Sequence, residues 1–197
     1  MARWRCRVDG ACACNDRFVS DEITVKDFSD ANLKELAKGQ APFAAIVTCS
    51  DSRVPAELLF DQGVGDIFVI RVAGNVIDPV ALGSVEYAVE HLGSPLVVVM
   101  GNQGCGAVKA AVAGGKAPGS IGSILAKLKP SVTAAKASGA KGDAQIAETA
   151  ADMNVDRMLK LLAKSPIIEE ALKGKELKLI GAKYILDNGE VNWDTAE

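Results

Sequence analysis

The chain has 197 residues, 49% of them hydrophobic, with 22 Lys and Arg against 25 Asp and Glu for a net charge of −3. That length supports one domain with a full core and is short for two, and the slightly acidic balance argues against a nucleic-acid partner. No apolar run approaches the ~18 residues of a membrane span and the Arg-rich start has no signal-peptide core, so a soluble, cytoplasmic chain with no membrane partner is expected.

Residues 1–16 hold Arg3, Arg5, Arg7, Cys6, Cys12 and Cys14 with almost no apolar periodicity. They are expected to form a mobile arm ahead of a single domain over residues 17–197. Cys12-Ala13-Cys14 is tighter than the Cys-x₂₋₄-Cys spacing of zinc sites, and five cysteines, an odd number, do not suggest a disulfide scaffold.

Residues 30–38 predict a short helix stopped by Gly39, and Pro42 hands over to an apolar run from Phe43 to Val47. Pro55 can open a helix reaching Phe60, Gly63 and Gly65 break it, and residues 67–71 predict a strand. Asp78-Pro79 is an N-cap followed by proline at the first helical position, opening a helix that Gly93 closes. A strand over 96–100 follows, and the next helix begins at Cys105. Residues 119–129 predict a short helix, and Pro130 then leads into a Ser/Ala/Gly/Lys segment expected to be flexible. Asp143 is expected to cap a long amphipathic helix to about residue 164, and Pro166 and Gly174 bound a shorter one. Residues 177–186, the Asn188-Gly189 turn and residues 191–193 read as a hairpin. Apolar runs alternating with helices predict an α/β fold: an open, mostly parallel β-sheet flanked by helices, with an antiparallel C-terminal edge hairpin.

Two turns concentrate chemistry. Cys49-Ser50-Asp51-Ser52-Arg53 follows the first apolar run and places a thiol, a carboxylate and a guanidinium at alternate positions, so a strand end can point all three into one crevice. Thiolate and carboxylate are both Zn²⁺ ligands, and a nearby arginine can hold the carboxylate ionised and set its direction. The plainer reading is a loop cysteine beside a surface ion pair. The second turn, Gly101-Asn102-Gln103-Gly104-Cys105-Gly106, follows Val97-Val98-Val99-Met100 and opens a helix. It would put Cys105 beside Cys49 at the carboxyl ends of neighbouring strands, where open α/β sheets carry their sites.

In order, Cys49-Ser50-Asp51-Ser52-Arg53, then Gly65-Asp66-Ile67-Phe68-Val69-Ile70-Arg71-Val72-Ala73-Gly74-Asn75, then Ser84-Val85-Glu86-Tyr87-Ala88-Val89-Glu90-His91-Leu92-Gly93, then Gly101-x-x-x-Cys105-Gly106-Ala107-Val108, resemble the β-class carbonic anhydrases over roughly residues 15–193. The resemblance implies Zn²⁺ as cofactor, held by Cys49, Cys105 and a histidine at position 102, with water or Asp51 in the fourth place. It implies hydration of CO2 to bicarbonate, with Arg53 holding Asp51 off the metal in an open form, and a homodimer or higher homo-oligomer whose partner chain helps wall the cleft.

Position 102 departs from that pattern, because it is Asn102. The only histidine, His91, lies in the 80–92 helix and is expected to pack there rather than ligate. An amide oxygen is a poor replacement for imidazole on zinc, so impaired hydration is expected. The alternative is a metal-poor, non-catalytic homologue kept for its fold or for a partner. Ile46 stands where family members with a bicarbonate inhibitor site carry tryptophan, so that regulation is expected to be weak or absent.

A dinucleotide loop is the rival reading of Gly101-x-x-Gly104-x-Gly106. It expects an acidic residue ~20 positions on to hold the ribose, and there is no Asp or Glu between Glu90 and Asp143. The lysines of that stretch have no interleaved aromatics and read as a solvated helix face, not a nucleic-acid patch.

Overall fold

Four successive apolar runs of this chain have somewhere to go only if both faces of one sheet are covered. The computed structural model describes residues 14–194, and in it β1 (Ala44–Thr48), β2 (Ile67–Arg71), β3 (Leu96–Asn102), β4 (Lys178–Tyr184) and β5 (Val191–Asp194) form one sheet in the order β2-β1-β3-β4-β5. The first four strands are parallel, and β5 returns antiparallel along β4 as the expected edge hairpin. β1 and β3 are buried at every position, as central strands covered on both faces must be.

Because side chains alternate across a strand, each run feeds two cores. Ala45, Val47, Val97 and Val99 pack under α4 (Pro79–Glu90), α7 (Gly142–Leu162) and α8 (Pro166–Lys173), with Val85, Met158, Leu162 and Ile168 fully buried between them. Ala44, Ile46, Val98 and Met100 face the other way, against α3 (Ala56–Leu59), Phe60 and Trp193. A third cluster lies beyond the strand ends, where α5 (Gly106–Ala113) and α6 (Ile121–Ala137) meet α7; Cys49 and Cys105 belong to it. α7 lies close on the sheet because two glycines leave room. A Cβ on Gly101 would stand 3.0 Å from Val155 Cγ2, and one on Gly181 would stand 3.1 Å from Val155 Cγ1.

Local sequence explains the element ends. Ser29 accepts from the Asn32 N–H at the start of α2 (Asp30–Leu36), and Asp78 accepts from the Val80 and Ala81 N–H groups at the start of α4. Asp143, expected as a cap, instead sits in the first turn of α7, where a negative charge suits the helix dipole, and Lys141 occupies the cap position. The segment after Pro130 is not a flexible linker: α6 runs through Pro130 to Ala137. Tertiary packing overrides the helix breaker, since Leu128, Ser131, Val132 and Ala135 form a buried stripe across the proline. His91, expected inside the helix packing, is the exposed C-cap residue of α4, its ring 5.1 Å from that of Tyr87.

Of the expected N-terminal arm, residues 1–13, including Cys6 and Cys12, lie outside the described residues. Residues 14–19 are helical (α1). Asn15 is 4% exposed there, donating to Leu59 O and Gly189 O at 3.1 Å each and accepting from the Val191 N–H at 2.8 Å. The segment that follows is tied down at Asp61, whose carboxylate is 1% exposed and takes hydrogen bonds from Arg17, Lys26 and Thr24. Burial alone would push this carboxyl up; the Lys26, Arg17 and Thr24 donors overcome that and hold it well below the usual carboxylate range. Among the described residues no helix is long and apolar enough to cross a membrane.

Two measurements check this arrangement. Met158→Ala removes a side chain that is 0% exposed and whose Sδ accepts from the Ile77 N–H, so urea denaturation is expected to show a loss of about 2–5 kcal/mol. For Asp61 the folded-state pKa is depressed, so its contribution is full above the unfolded value of about 3.9 and drains away as pH falls below it. Asp61→Asn is therefore expected to lose about 1–3 kcal/mol at neutral pH, and to show a flatter fall in urea midpoint on acidification than the unmodified chain.

Candidate active site

The site is built where β1 and β3 end. Their register pairs Ala45 with Val97, Ile46 with Val98 and Val47 with Val99, so residues just past the two strands emerge side by side. Cys49 follows β1 directly, and Cys105 is reached from β3 through a turn whose Gly104 takes φ +64°. The two sulfurs stand 3.8 Å apart, each residue 4% exposed. Two Zn–S bonds of ~2.3 Å at the tetrahedral angle would set sulfurs about 3.8 Å apart, so the separation fits a single tetrahedral ion.

Either sulfur can donate in the hydrogen bond between them. That bond pulls the Cys49 thiol well below its ordinary range against the opposing effect of burial, and N–H groups of Gly74 and Asp51 add to the lowering. Cys105 is pushed up by the same hydrogen bond and by burial. The Gly74 N–H lies 3.2 Å from Cys49 Sγ.

Asp51 does not join the sulfurs. Arg53 grips its carboxylate in a fork, Nε to Oδ1 at 3.0 Å and Nη2 to Oδ2 at 2.7 Å, and the Arg53 N–H adds a third bond to Oδ1 at 3.0 Å. The Arg53 side chain is the main reason the Asp51 carboxyl is pushed down to about 2, burial opposing it. Arg71, at the end of β2, clamps the backbone of this loop by donating to Cys49 O at 3.2 Å and to Asp51 O at 2.6 Å.

Asn102, the last residue of β3, is 1% exposed; its Nδ2 donates to Gln103 O at 3.0 Å, and its buried Oδ1 has no hydrogen-bond partner. Thr48 Oγ1 and Asn75 Nδ2 share that condition. Thr48 and Asn102 are the last residues of β1 and β3, and Asn75 lies in the turn after β2; buried polar groups without a partner are rare in folded proteins and call for an explanation. Among the described residues no group of three or more His, Cys, Asp and Glu side chains is placed to hold a metal ion. The side chain at position 102 is a neutral amide, and the Asp51 carboxylate is engaged by Arg53.

The residues that hold this frame from behind are ones the sequence reading did not single out. Asn154 of α7, 0% exposed, donates to Gly74 O at 3.0 Å, and Glu148 of the same helix accepts from the Gly104 N–H at 2.8 Å. Glu148 also pairs with Lys183 at 3.0 Å, which in turn pairs with Asp152 at 2.8 Å. The one signal for Asn154 was a polar residue at an i, i+4 step within an apolar helix face, between Ala150 and Met158.

A family model described as carbonic anhydrase matches residues 44–191. Carbonic anhydrase 2 of Mycobacterium tuberculosis is 39% identical over 193 residues, covering 96% of this chain and 90% of the relative. The chain belongs to the β-class carbonic anhydrase family. The carbonic anhydrase of Mycolicibacterium smegmatis is 36% identical over 195 residues, 97% of this chain and 91% of that one. Among solved structures, a β-carbonic anhydrase of Aspergillus fumigatus superposes with a TM-score of 0.79 at 29% identity, covering 97% of this chain and 92% of that chain. A study of two tetrameric β-carbonic anhydrases of Sordaria macrospora gives 0.77 at 25% identity, with 98% and 96% covered.

Arg53→Ala tests the hold on Asp51. Without the fork, the carboxyl midpoint read by NMR titration is expected to climb from about 2 toward the ordinary value of ~3.9. A midpoint that stays put would show that the guanidinium is not what keeps Asp51 ionised.

Proposed function

We propose that this carbonic anhydrase is a zinc enzyme that hydrates CO2 to bicarbonate and a proton, and that Asn102 lowers its hold on the metal and its rate. The observation that carries the reading is the 3.8 Å separation of two sulfurs at the ends of adjacent parallel strands. Cys49 and Cys105 would hold the ion, with the unpartnered Oδ1 of Asn102 as the third donor and water as the fourth; Asp51 is the remaining candidate ligand and is held away by Arg53. Zinc, when bound, supplies the positive charge that makes water a nucleophile at neutral pH.

The protein's own groups do the rest. Val76, Val108 and Leu128 belong to the same buried apolar cluster as the two cysteines, surroundings suited to an uncharged, nonpolar substrate. Asp51, with its pKa of about 2, is ionised throughout the physiological range, so it accepts a hydrogen bond from the attacking water and orients it. A carboxyl so acidic cannot keep the proton, which passes on to buffer as bicarbonate leaves. Arg53 fixes that geometry and acts through Asp51.

The second reading is a metal-poor, non-catalytic homologue that serves as a structural or partner-binding module. It draws on the lack of a third His, Cys, Asp or Glu beside the sulfurs among the described residues. In either reading a reducing, cytoplasmic setting suits the thiols. Self-association into a homodimer or larger assembly is supported by the exposed apolar side chains of Ile23, Val25, Phe28 and Leu33, with Val25 100% exposed, and by the tetrameric Sordaria relatives.

Elemental analysis and a CO2 hydration assay separate the two. The zinc enzyme is expected to purify with close to one zinc per chain and a measurable rate, and Asn102→His is expected to tighten zinc at least ~10-fold and raise the rate with it. Substoichiometric zinc, no hydration above buffer and no gain in Asn102→His would leave the non-catalytic reading standing.

A further inference from the structure

We propose that Asn154 is a positioning residue for the Cys49 sulfur, acting through the Gly74 peptide. A buried chain of hydrogen bonds leads from α6 to the site: Ser131 Oγ donates to Asn154 Oδ1 at 3.2 Å, Asn154 Nδ2 donates to Gly74 O at 3.0 Å, and the Gly74 N–H donates to Cys49 Sγ at 3.2 Å. Each side-chain atom of Asn154 thus has its partner, and the direction of each bond is fixed by the next.

Three constraints converge on Gly74. Its φ of +71° lies in the left-handed region, and a Cβ there would come within 2.9 Å of Leu128 and 3.2 Å of Ala107, so a side chain at this position would be strained and crowded. Its carbonyl is held by Asn154. Its N–H and its carbonyl belong to the two rigid peptide planes flanking one Cα, so a fixed carbonyl with fixed φ and ψ aims the N–H. What it is aimed at is the Cys49 sulfur, 3.2 Å away.

Asn154 stands in an otherwise apolar stripe of α7 with Ala147, Ala150, Ala151, Val155, Met158 and Leu162, and it is 0% exposed. Burying an amide there costs solvation that an aliphatic side chain would not. The return is a rigid hold on one peptide from a helix 21 residues long. Groups that donate to a ligand sulfur tune how strongly it binds, and changes in such supporting partners typically cost ~10–100-fold in metal affinity.

The effect on metal rests on the zinc reading above, and two readouts keep the ideas separate. In the metal-free protein, Asn154→Leu is expected to speed hydrogen exchange at the Gly74 amide by about 2- to 12-fold, the equivalent of one lost hydrogen bond. In zinc competition against a chelator, the same variant is expected to weaken binding ~10–100-fold. Ser131→Ala, which unties only the far end of the chain, is expected to move both in the same direction by less; it decides the matter if Asn154→Leu does not fold. A residue that merely supports the fold would lower the melting temperature and leave the zinc affinity of the folded protein alone. Unchanged Gly74 exchange and unchanged zinc affinity in the folded variants would overturn the proposal. If the unmodified chain binds no zinc, the zinc reading falls, and the Gly74 exchange rate still decides the role of Asn154.

Discussion

Two hydrogen-bonded sulfurs buried in an apolar cluster set the terms for everything around them. Burial disfavours a thiolate, and at Cys49 the hydrogen bond with Cys105 and two backbone N–H donors work against that. Those donors must arrive from different directions: one from the helix after β3, one from the 73–75 turn after β2, one from the loop after β1. A parallel sheet meets the demand, since it delivers three consecutive strand ends to the same rim. The strand order β2-β1-β3 places the Cys49 strand in the middle, between the two elements that must reach it.

The same rim holds groups with opposite needs. Cys49, Cys105 and Asn102 are buried to 4% exposure or less, whereas the Arg53 side chain is 58% exposed and Asp51 lies between, at 13%. Charge therefore increases outward across a few residues of one loop. An exposed pair of this kind would ordinarily stabilise little. Here its value is directional, because the fork and the Arg71 clamp on the backbone leave Asp51 one orientation.

Most of the sheet was legible because its signals are local and agree with one another. The strand over 67–71, the Asp78-Pro79 helix start, the Pro166 helix and the closing hairpin follow from caps, breakers and alternation, and the structure has them within a residue or two. The closeness of Cys49 and Cys105 was legible from their places after adjacent parallel runs. What escaped the sequence depends on partners far away in the chain. Pro130 signals an ending, yet the helix continues because packing on α7 outweighs one missing backbone bond. Asn154 reaches a carbonyl 80 residues earlier, and Asn15 fastens itself to a strand 176 residues later; no window of sequence holds both ends of such contacts.

α7 reaches both sides of the sulfur pair, but by different means. Toward Cys49 it extends a neutral, fully enclosed amide. Toward Cys105 it extends Glu148, a carboxylate with a side chain 37% exposed, which is also engaged with Lys183. Dissolved ions reach the second connection and not the first. The two flanks of the centre are thus unequally insulated from the medium: added salt would weaken the helix's hold on the Cys105 turn and leave its hold on the Cys49 turn as it was, so the centre would loosen from one side, as a door does on its hinge.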